Sequence, residues 1–213
     1  MSFGGVTSLR IADSRVQAAV SAVPREQFLS HQQRLFHADD RPIDIGHGQT
    51  TSQPSLIAWM VQALQLGPGA KVLEVGTGCG YQTALLAELG CEVYSVEILA
   101  PLAAGARQTL ARLGYADRVH QRVGDGYQGW PEVAPFDGIV VSAGAPRVPR
   151  PLVDQLARGG RMVIPVGPDD DMHLRIYQRD AAGDLSVETA FPVRFVPLTG
   201  AQADADRGSL RAG

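Results

Sequence analysis

The sequence predicts an α/β fold, with a mostly parallel sheet, helices on both faces, and an antiparallel hairpin near the C-terminus. Three observations carry the prediction. From Lys71 onward, short apolar runs alternate with segments of helical period, the order in which parallel strands and their crossover helices arrive. The first apolar run leads directly into a glycine-rich turn, Gly76-Thr77-Gly78-Cys79-Gly80, and that turn into a helix. After Val166 the alternation stops, and two strand-like runs flank Ala181-Ala182-Gly183-Asp184, which has the composition of a tight turn.

The elements follow in chain order. Val16, Val20 and Val23 recur near the helical period and Pro24 interrupts them, so an amphipathic helix is expected over 13–23 with Asp13 as its cap. A second short helix is expected over 25–33, and 38–54, rich in Gly, Asp, Pro and Thr, reads as loop. Leu56, Ile57, Met60, Val61 and Leu64 share one face of a helix over 55–66, which Gly67-Pro68-Gly69 stops. Strands are expected over 71–75, 92–96, 118–123, 138–142 and 161–166, and helices over 80–89, 101–113 and 151–157. The hairpin strands fall at 172–179 and 185–190. The whole chain, 1–213, reads as one domain: a helical and loop cap over 1–54, a core over 55–200, and a polar tail over 201–213 that is expected to fray.

Composition narrows the function. A chain of 213 residues suits one sizeable core, and no apolar run reaches the ~20 residues a membrane span needs. Residues 1–10 are glycine-rich and polar where a secretory peptide would be apolar, so a cytoplasmic location is expected. With 19 basic and 22 acidic residues well mixed, no basic stripe points to nucleic acid. The five histidines lack metal-ligand spacing, and Cys79 and Cys91 form neither a disulfide framework nor a ligand pair, so no metal is expected. Nothing in the sequence fixes the oligomeric state; a monomer is the expectation.

The glycine turn carries the chemistry. Gly76 and Gly78 allow a close backbone approach to a ligand, Gly80 opens a helix, and Glu97 at the tip of the next strand can accept hydrogen bonds from two ribose hydroxyls. A dinucleotide fingerprint would place its third glycine at the sixth position, which is Tyr81 here; the glycine stands one place earlier. The resulting G-x-G-x-G, with Glu74 two residues ahead of it, is the pattern of S-adenosylmethionine methyltransferases, while nicotinamide binding and a plain glycine turn are the competing readings. After the third strand, Gly124-Asp125-Gly126 offers a carboxylate for the exocyclic amine of adenine, or else an ordinary turn. Ligands of open α/β sheets bind at the carboxyl ends of strands, so these segments converge on one crevice. The loop from Gly46 to Pro54 packs Gln49, Thr50, Thr51, Ser52 and Gln53 ahead of a helix. It supplies either a helix cap, through Ser52 or Ser55, or donors aimed at an anionic substrate.

With these motifs in place, the chain from about 15 to 200 resembles the bacterial protein-L-isoaspartate O-methyltransferases. The resemblance is carried by Val23-Pro24-Arg25, Asp40-Arg41-Pro42, Gly48-Gln49-Thr50 with Ser52-Gln53-Pro54, and Glu74-Val75-Gly76-Thr77-Gly78. Further on it is carried by Gly124-Asp125-Gly126, Gly129-Trp130-Pro131, Ala134-Pro135-Phe136-Asp137, Gly159-Gly160-Arg161 and Phe195-Val196-Pro197-Leu198-Thr199-Gly200. It implies a Rossmann-like fold that uses S-adenosyl-L-methionine, releases S-adenosyl-L-homocysteine, and methylates the α-carboxylate of L-isoaspartyl residues in damaged proteins and peptides. The ester then collapses to a succinimide whose hydrolysis returns some normal aspartate.

The resemblance also implies particular residues. Ser52 is the active-site serine; Glu74, Gly76, Thr77, Gly78, Gly80, Glu97, Gly124, Asp125 and Gly126 form the cofactor set. Gln49, Thr50, Thr51, Val196 and Thr199 form the peptide set, and the final strands are ordered differently from those of most methyltransferases. Departures from the family pattern are Thr51 for isoleucine, Cys79 for serine or threonine, Ala38 for tyrosine and Gly144 for alanine. Two alternatives are a relative that esterifies ordinary aspartate in one dedicated biosynthetic peptide, against which the short sequence after Gly200 speaks, and a non-catalytic S-adenosylmethionine-binding module.

Overall fold

A computed structural model describes residues 9–201 and residue 203. Helix α1 (Ser14–Ala22) is capped as expected, with the Asp13 carboxylate accepting from the Arg15 amide at 2.9 Å. The helix expected over 25–33 is instead two 3-10 turns, Arg25–Phe28 and Gln33–Phe36. The first turn ends because Leu29, buried like Phe28 beside it, takes an extended backbone.

The segment read as loop holds a hairpin, β1 (Ile43–Gly46) and β2 (Gln49–Thr51). Its two-residue turn, His47-Gly48, has positive φ at both positions (56° and 72°), as a type I′ connection requires. Helix α2 (Pro54–Ala63) follows, with Pro54 in its first turn. The Asp40 carboxylate, from across the loop, accepts from both the Ser55 amide (2.9 Å) and the Ser55 hydroxyl (2.7 Å).

The main sheet has seven strands in the order β5-β4-β3-β6-β7-β8-β9. Strands β3 (Lys71–Val75), β4 (Glu92–Glu97), β5 (Val119–Val123), β6 (Phe136–Val141) and β7 (Leu156–Val166) are parallel. β8 (His173–Arg179) and β9 (Leu185–Pro192) run antiparallel, so the last three strands lie in chain order. Strand β7 begins at Leu156 rather than 161, because Gly159-Gly160 is absorbed as a strand irregularity instead of forming a loop. Helix α5 (Arg150–Asp154) is correspondingly short.

Helices α3 (Tyr81–Glu88) and α4 (Ala100–Arg112) join α1 and α2 over one face of the sheet, burying Val72, Val93, Val140 and Val163. On the other face Leu73, Val75, Val96, Ile139 and Val141 pack with Tyr127 and with Leu152 and Val153 of α5. The tail expected over 201–213 falls outside the described residues except for Ala201 and Ala203, and Ala203 is fully buried in that second core. Register sets up the site: Val75 lies beside Val96 and Val141, and Glu97 beside Val123, so the strand tips end on one edge.

Candidate active site at the strand tips

The chain leaves each aligned tip into one crevice. From β3 come Gly76, Thr77 and Gly78; from β4, Glu97 and Ile98; after β5, Gly126; from β6, Ser142 and Ala143. The β1–β2 hairpin and the loop behind it close one side with Ile45, Gln49, Thr50, Thr51 and Ser52, and Val196 to Thr199 close another. Gly76 and Gly78 both have positive φ (92° and 54°). A Cβ on Gly78 would come within 3.3 Å of Ile45, and one on Gly76 within 3.5 Å of the Ser142 Cβ, so the loop lies hard against its neighbours.

Glu97 is 6% exposed and ties the loop to the second strand. One carboxylate oxygen accepts from the Gly78 amide (2.9 Å) and the other from the Leu99 amide (3.0 Å). A carboxylate has lone pairs for further donors, so both oxygens can still accept from a diol.

Glu74 stands elsewhere. Strand alternation turns it away from Val75 to the underside of the loop, where it has no exposure and does not line the crevice. There it accepts from Thr83 Oγ1 (2.5 Å), Ser95 Oγ (2.6 Å) and Gln82 Nε2 (3.2 Å). Burial pushes its pKa up to about 7, against the pull of those three hydrogen bonds. The Ser95 hydroxyl also meets Thr77 Oγ1 at 2.5 Å, linking the buried acid to the crevice wall.

Three further cofactor candidates stand just outside the lining. Gly80 is the N-cap of α3, while Gly124 and Asp125 follow the tip of β5. Asp125 accepts from the Tyr127 amide at 2.9 Å and packs against Gly200, where any Cβ would collide with its carboxyl group.

Ser52 does not cap α2; that role belongs to Asp40 through Ser55. Its main chain is held from behind by Arg25, a residue only 5% exposed. The Arg25 guanidinium donates to the carbonyls of His37 (3.0 Å), Asp39 (2.9 Å), Arg41 (3.2 Å) and Ser52 (3.4 Å). Burial lowers its pKa, and Tyr81 lies beneath it, 6.0 Å from guanidinium carbon to ring centroid. Val196 and Leu198 are also fixed, since the Gly144 amide donates to the Val196 carbonyl and the Leu198 amide to the Gly144 carbonyl, both at 2.8 Å.

Sequence reasoning missed Arg25 as the support of the loop, and it missed Ser142, Gln82 and Ile98 as wall residues. The strand-tip rule points to Ser142 and Ile98, which directly follow β6 and β4. Gln82 is a polar side chain 6% exposed among buried helix positions, itself a signal.

The chemistry of the lining discriminates between ligands. Among the described residues around the crevice Glu97 is the only charged one, and Val75, Val96, Ile98, Leu102 and Leu198 supply apolar wall. That set suits an adenosine carrying a cationic sulfonium and gives no cationic partner to a pyrophosphate. Among the described residues no group of three His, Cys, Asp or Glu side chains is placed to hold a metal ion.

Comparisons with known proteins agree with this reading. The family model described as Protein-L-isoaspartate(D-aspartate) O-methyltransferase matches residues 6–203. A protein-L-isoaspartate O-methyltransferase of Gloeobacter violaceus is 52% identical over 185 residues, 86% of this chain and 89% of the relative. One of Anaeromyxobacter dehalogenans is 54% identical over 191 residues, 89% of this chain and 91% of the relative. Among solved structures, a Plasmodium falciparum chain described as a candidate protein-L-isoaspartate O-methyltransferase, in complex with S-adenosyl-L-homocysteine, superposes with a TM-score of 0.79. It is 27% identical, and the match covers 89% of this chain and 92% of that one.

Proposed function

Because this chain belongs to the protein-L-isoaspartate(D-aspartate) O-methyltransferase family, we propose a division of labour among its residues for methylating the α-carboxylate of L-isoaspartyl residues. Bound at the strand tips, S-adenosyl-L-methionine supplies an electrophilic methyl group on a sulfonium. The crevice lining carries the assignment, since the glycine loop, Glu97 and Ser52 meet there with no other charged side chain among the described residues.

The backbone of Gly76, Thr77 and Gly78 holds the methionyl part, with Glu74 and Gly80 supporting the loop from below and behind. Glu97 accepts from the ribose hydroxyls. Gly124, Asp125 and Gly126, at the next strand tip, receive the adenine edge, and Ile98 packs against its face. The peptide enters beside Gln49, Thr50 and Thr51 and meets Val196 and Thr199.

A carboxylate of pKa ~3.5 is ionised at neutral pH, so this nucleophile needs no general base. The protein's task is placement: Ser52 donates to the carboxylate and holds one oxygen in line with the methyl group, with water excluded. Within a single methyltransferase domain, the segment ahead of α2 covers one side of the crevice through Ile45, Gln49, Thr50, Thr51 and Ser52. The well-mixed basic and acidic residues support a peptide or protein partner and not a nucleic acid, and among the described residues no helix is long and apolar enough to cross a membrane.

The test is Ser52→Ala, assayed on an isoaspartyl peptide. Turnover is expected to fall about 100-fold, or ~2.7 kcal/mol in the barrier, with S-adenosyl-L-homocysteine affinity retained. Unchanged turnover removes Ser52 from the mechanism.

A further inference from the structure

Beside the strand-tip crevice runs a groove floored by Leu9, Pro42, Leu56, Met172 and Phe191, and four residues line both: Thr50, Ser52, Ser142 and Val196. The junction of a cofactor crevice with an open groove is where an acceptor group must stand. Three of the four shared residues carry hydroxyls, and two of these, Thr50 and Ser52, come from the loop ahead of α2. Ser142 is the third and comes from the main sheet, directly after β6.

The Ser142 hydroxyl is oriented. The Gln82 amide nitrogen donates one hydrogen to Ser142 Oγ (2.9 Å) and the other to the buried Glu74 carboxyl (3.2 Å). Both amide hydrogens are engaged, and Glu74 is itself held by Thr83 and Ser95. Gln82 therefore cannot turn away without leaving a buried acid short of a donor. Ser142 Oγ, having accepted from Gln82, keeps its own hydrogen to give, and no acceptor for it stands among the described residues. Ser142 is partly exposed to the crevice.

We propose that Ser142 is a second donor to the substrate α-carboxylate, at the junction it shares with Ser52, with Gln82 as the residue that positions it. The proposal rests on the peptide-carboxylate reading given above. A carboxylate held at one oxygen still pivots; a second donor from a different element fixes its plane. In the transfer, a carboxylate oxygen forms the new bond to the methyl carbon while the carbon–sulfur bond breaks and its electron pair stays on sulfur. The carboxylate charge and the sulfonium charge disappear together. A donor to the oxygen that does not attack therefore binds the ground state at least as strongly as the transition state, and its loss appears mainly in KM, whereas Ser52, which aims the attacking oxygen, governs turnover.

The experiment measures kcat and KM for an isoaspartyl peptide and S-adenosyl-L-homocysteine affinity by calorimetry. It compares the unmodified protein with Ser142→Ala, Ser142→Thr, Gln82→Leu and the Ser142→Ala/Gln82→Leu double variant. Ser142→Ala should raise KM about 10- to 150-fold, the range for a hydrogen bond to a charged group, with kcat within about threefold and product affinity within about twofold. Ser142→Thr should restore KM. Gln82→Leu should raise KM in the presence of Ser142 and add nothing in its absence, a coupling that a merely structural role for Gln82 does not produce. An unchanged KM in Ser142→Ala overturns the proposal. So does a loss of S-adenosyl-L-homocysteine affinity by the same factor, which assigns the hydroxyl to the cofactor. Absence of any methyl transfer by the unmodified protein overturns both the proposal and the reading beneath it.

Discussion

Glu74 and Glu97 sit at the tips of neighbouring strands with opposite surroundings, and each surrounding dictates a different experiment. Glu74 is raised in the folded state from its ordinary 4.5 to about 7. A raised folded pKa means that the native state binds the proton more tightly than the unfolded chain. The stability this confers is complete below pH 4.5 and is lost as pH rises through about 7. That interval corresponds to on the order of 3 kcal/mol. Glu74→Gln, neutral at every pH, should therefore flatten the fall in melting temperature between pH 5 and pH 8, by roughly 6–12 °C. An unaltered pH slope in the variant would show that Glu74 is ionised at little cost in the fold. Glu97→Ala removes an acceptor that also anchors the Gly78 and Leu99 amides. Calorimetry should find S-adenosyl-L-homocysteine affinity about 100-fold weaker, and unchanged affinity would place the ribose elsewhere.

Residue identity was legible where it followed a strand tip, and less so where orientation decided. Glu97 was legible in this way. The distance of Glu74 from Gly76 suggests a cofactor residue, while the two-residue period of β3 turns it to the far face. The departures from the family pattern find physical partners. Thr51 and Cys79, at positions usually apolar and hydroxylic respectively, meet each other, the threonine hydroxyl facing the thiol. The space that a methyl group on residue 144 would fill is occupied by the end of the Met172 side chain. Nothing in the structure explains Ala38, which is exposed.

At the scale of elements, one buried cation organises the segment ahead of α2. Arg25 collects carbonyls from His37, Asp39, Arg41 and Ser52, groups that no regular ladder satisfies. Arg25→Met leaves them without donors and should cost about 2–4 kcal/mol of stability, lower turnover, and expose 37–53 to proteolysis in the folded protein. A variant with native melting temperature and native protease resistance would show that the loop holds itself. The strands and helices of the core were legible because burial on both sides writes near-continuous apolar runs between turn residues. The β1–β2 hairpin was not: its strands are four and three residues long, and its turn takes positive φ at His47 as well as at Gly48, so composition alone reads as coil. Gly159-Gly160 misled in the same way, since a glycine pair marks an irregular strand as readily as a loop.

At the scale of the molecule, the aligned tips of β3, β4, β5 and β6 bring into one crevice segments more than sixty residues apart in sequence, Gly76 and Ser142 among them. Ligand binding should therefore stabilise the sheet as a unit. S-adenosyl-L-homocysteine at about 100 times its Kd should add ~2.7 kcal/mol and raise the melting temperature by roughly 5–10 °C, while NAD leaves it unmoved. A shift with NAD of the same size would contradict the charge reading of the crevice.

The proposed chemistry requires this crevice to present a methyl donor to a carboxylate one methylene displaced from the normal backbone path. The measurement closest to that claim is methyl incorporation from S-adenosyl-L-methionine into a matched pair of peptides that differ only in an isoaspartyl or an aspartyl linkage. The isoaspartyl peptide should be methylated, with a kcat/KM at least about 100-fold above that of its isomer. Equal methylation of the two, or methylation of the aspartyl peptide alone, would contradict it.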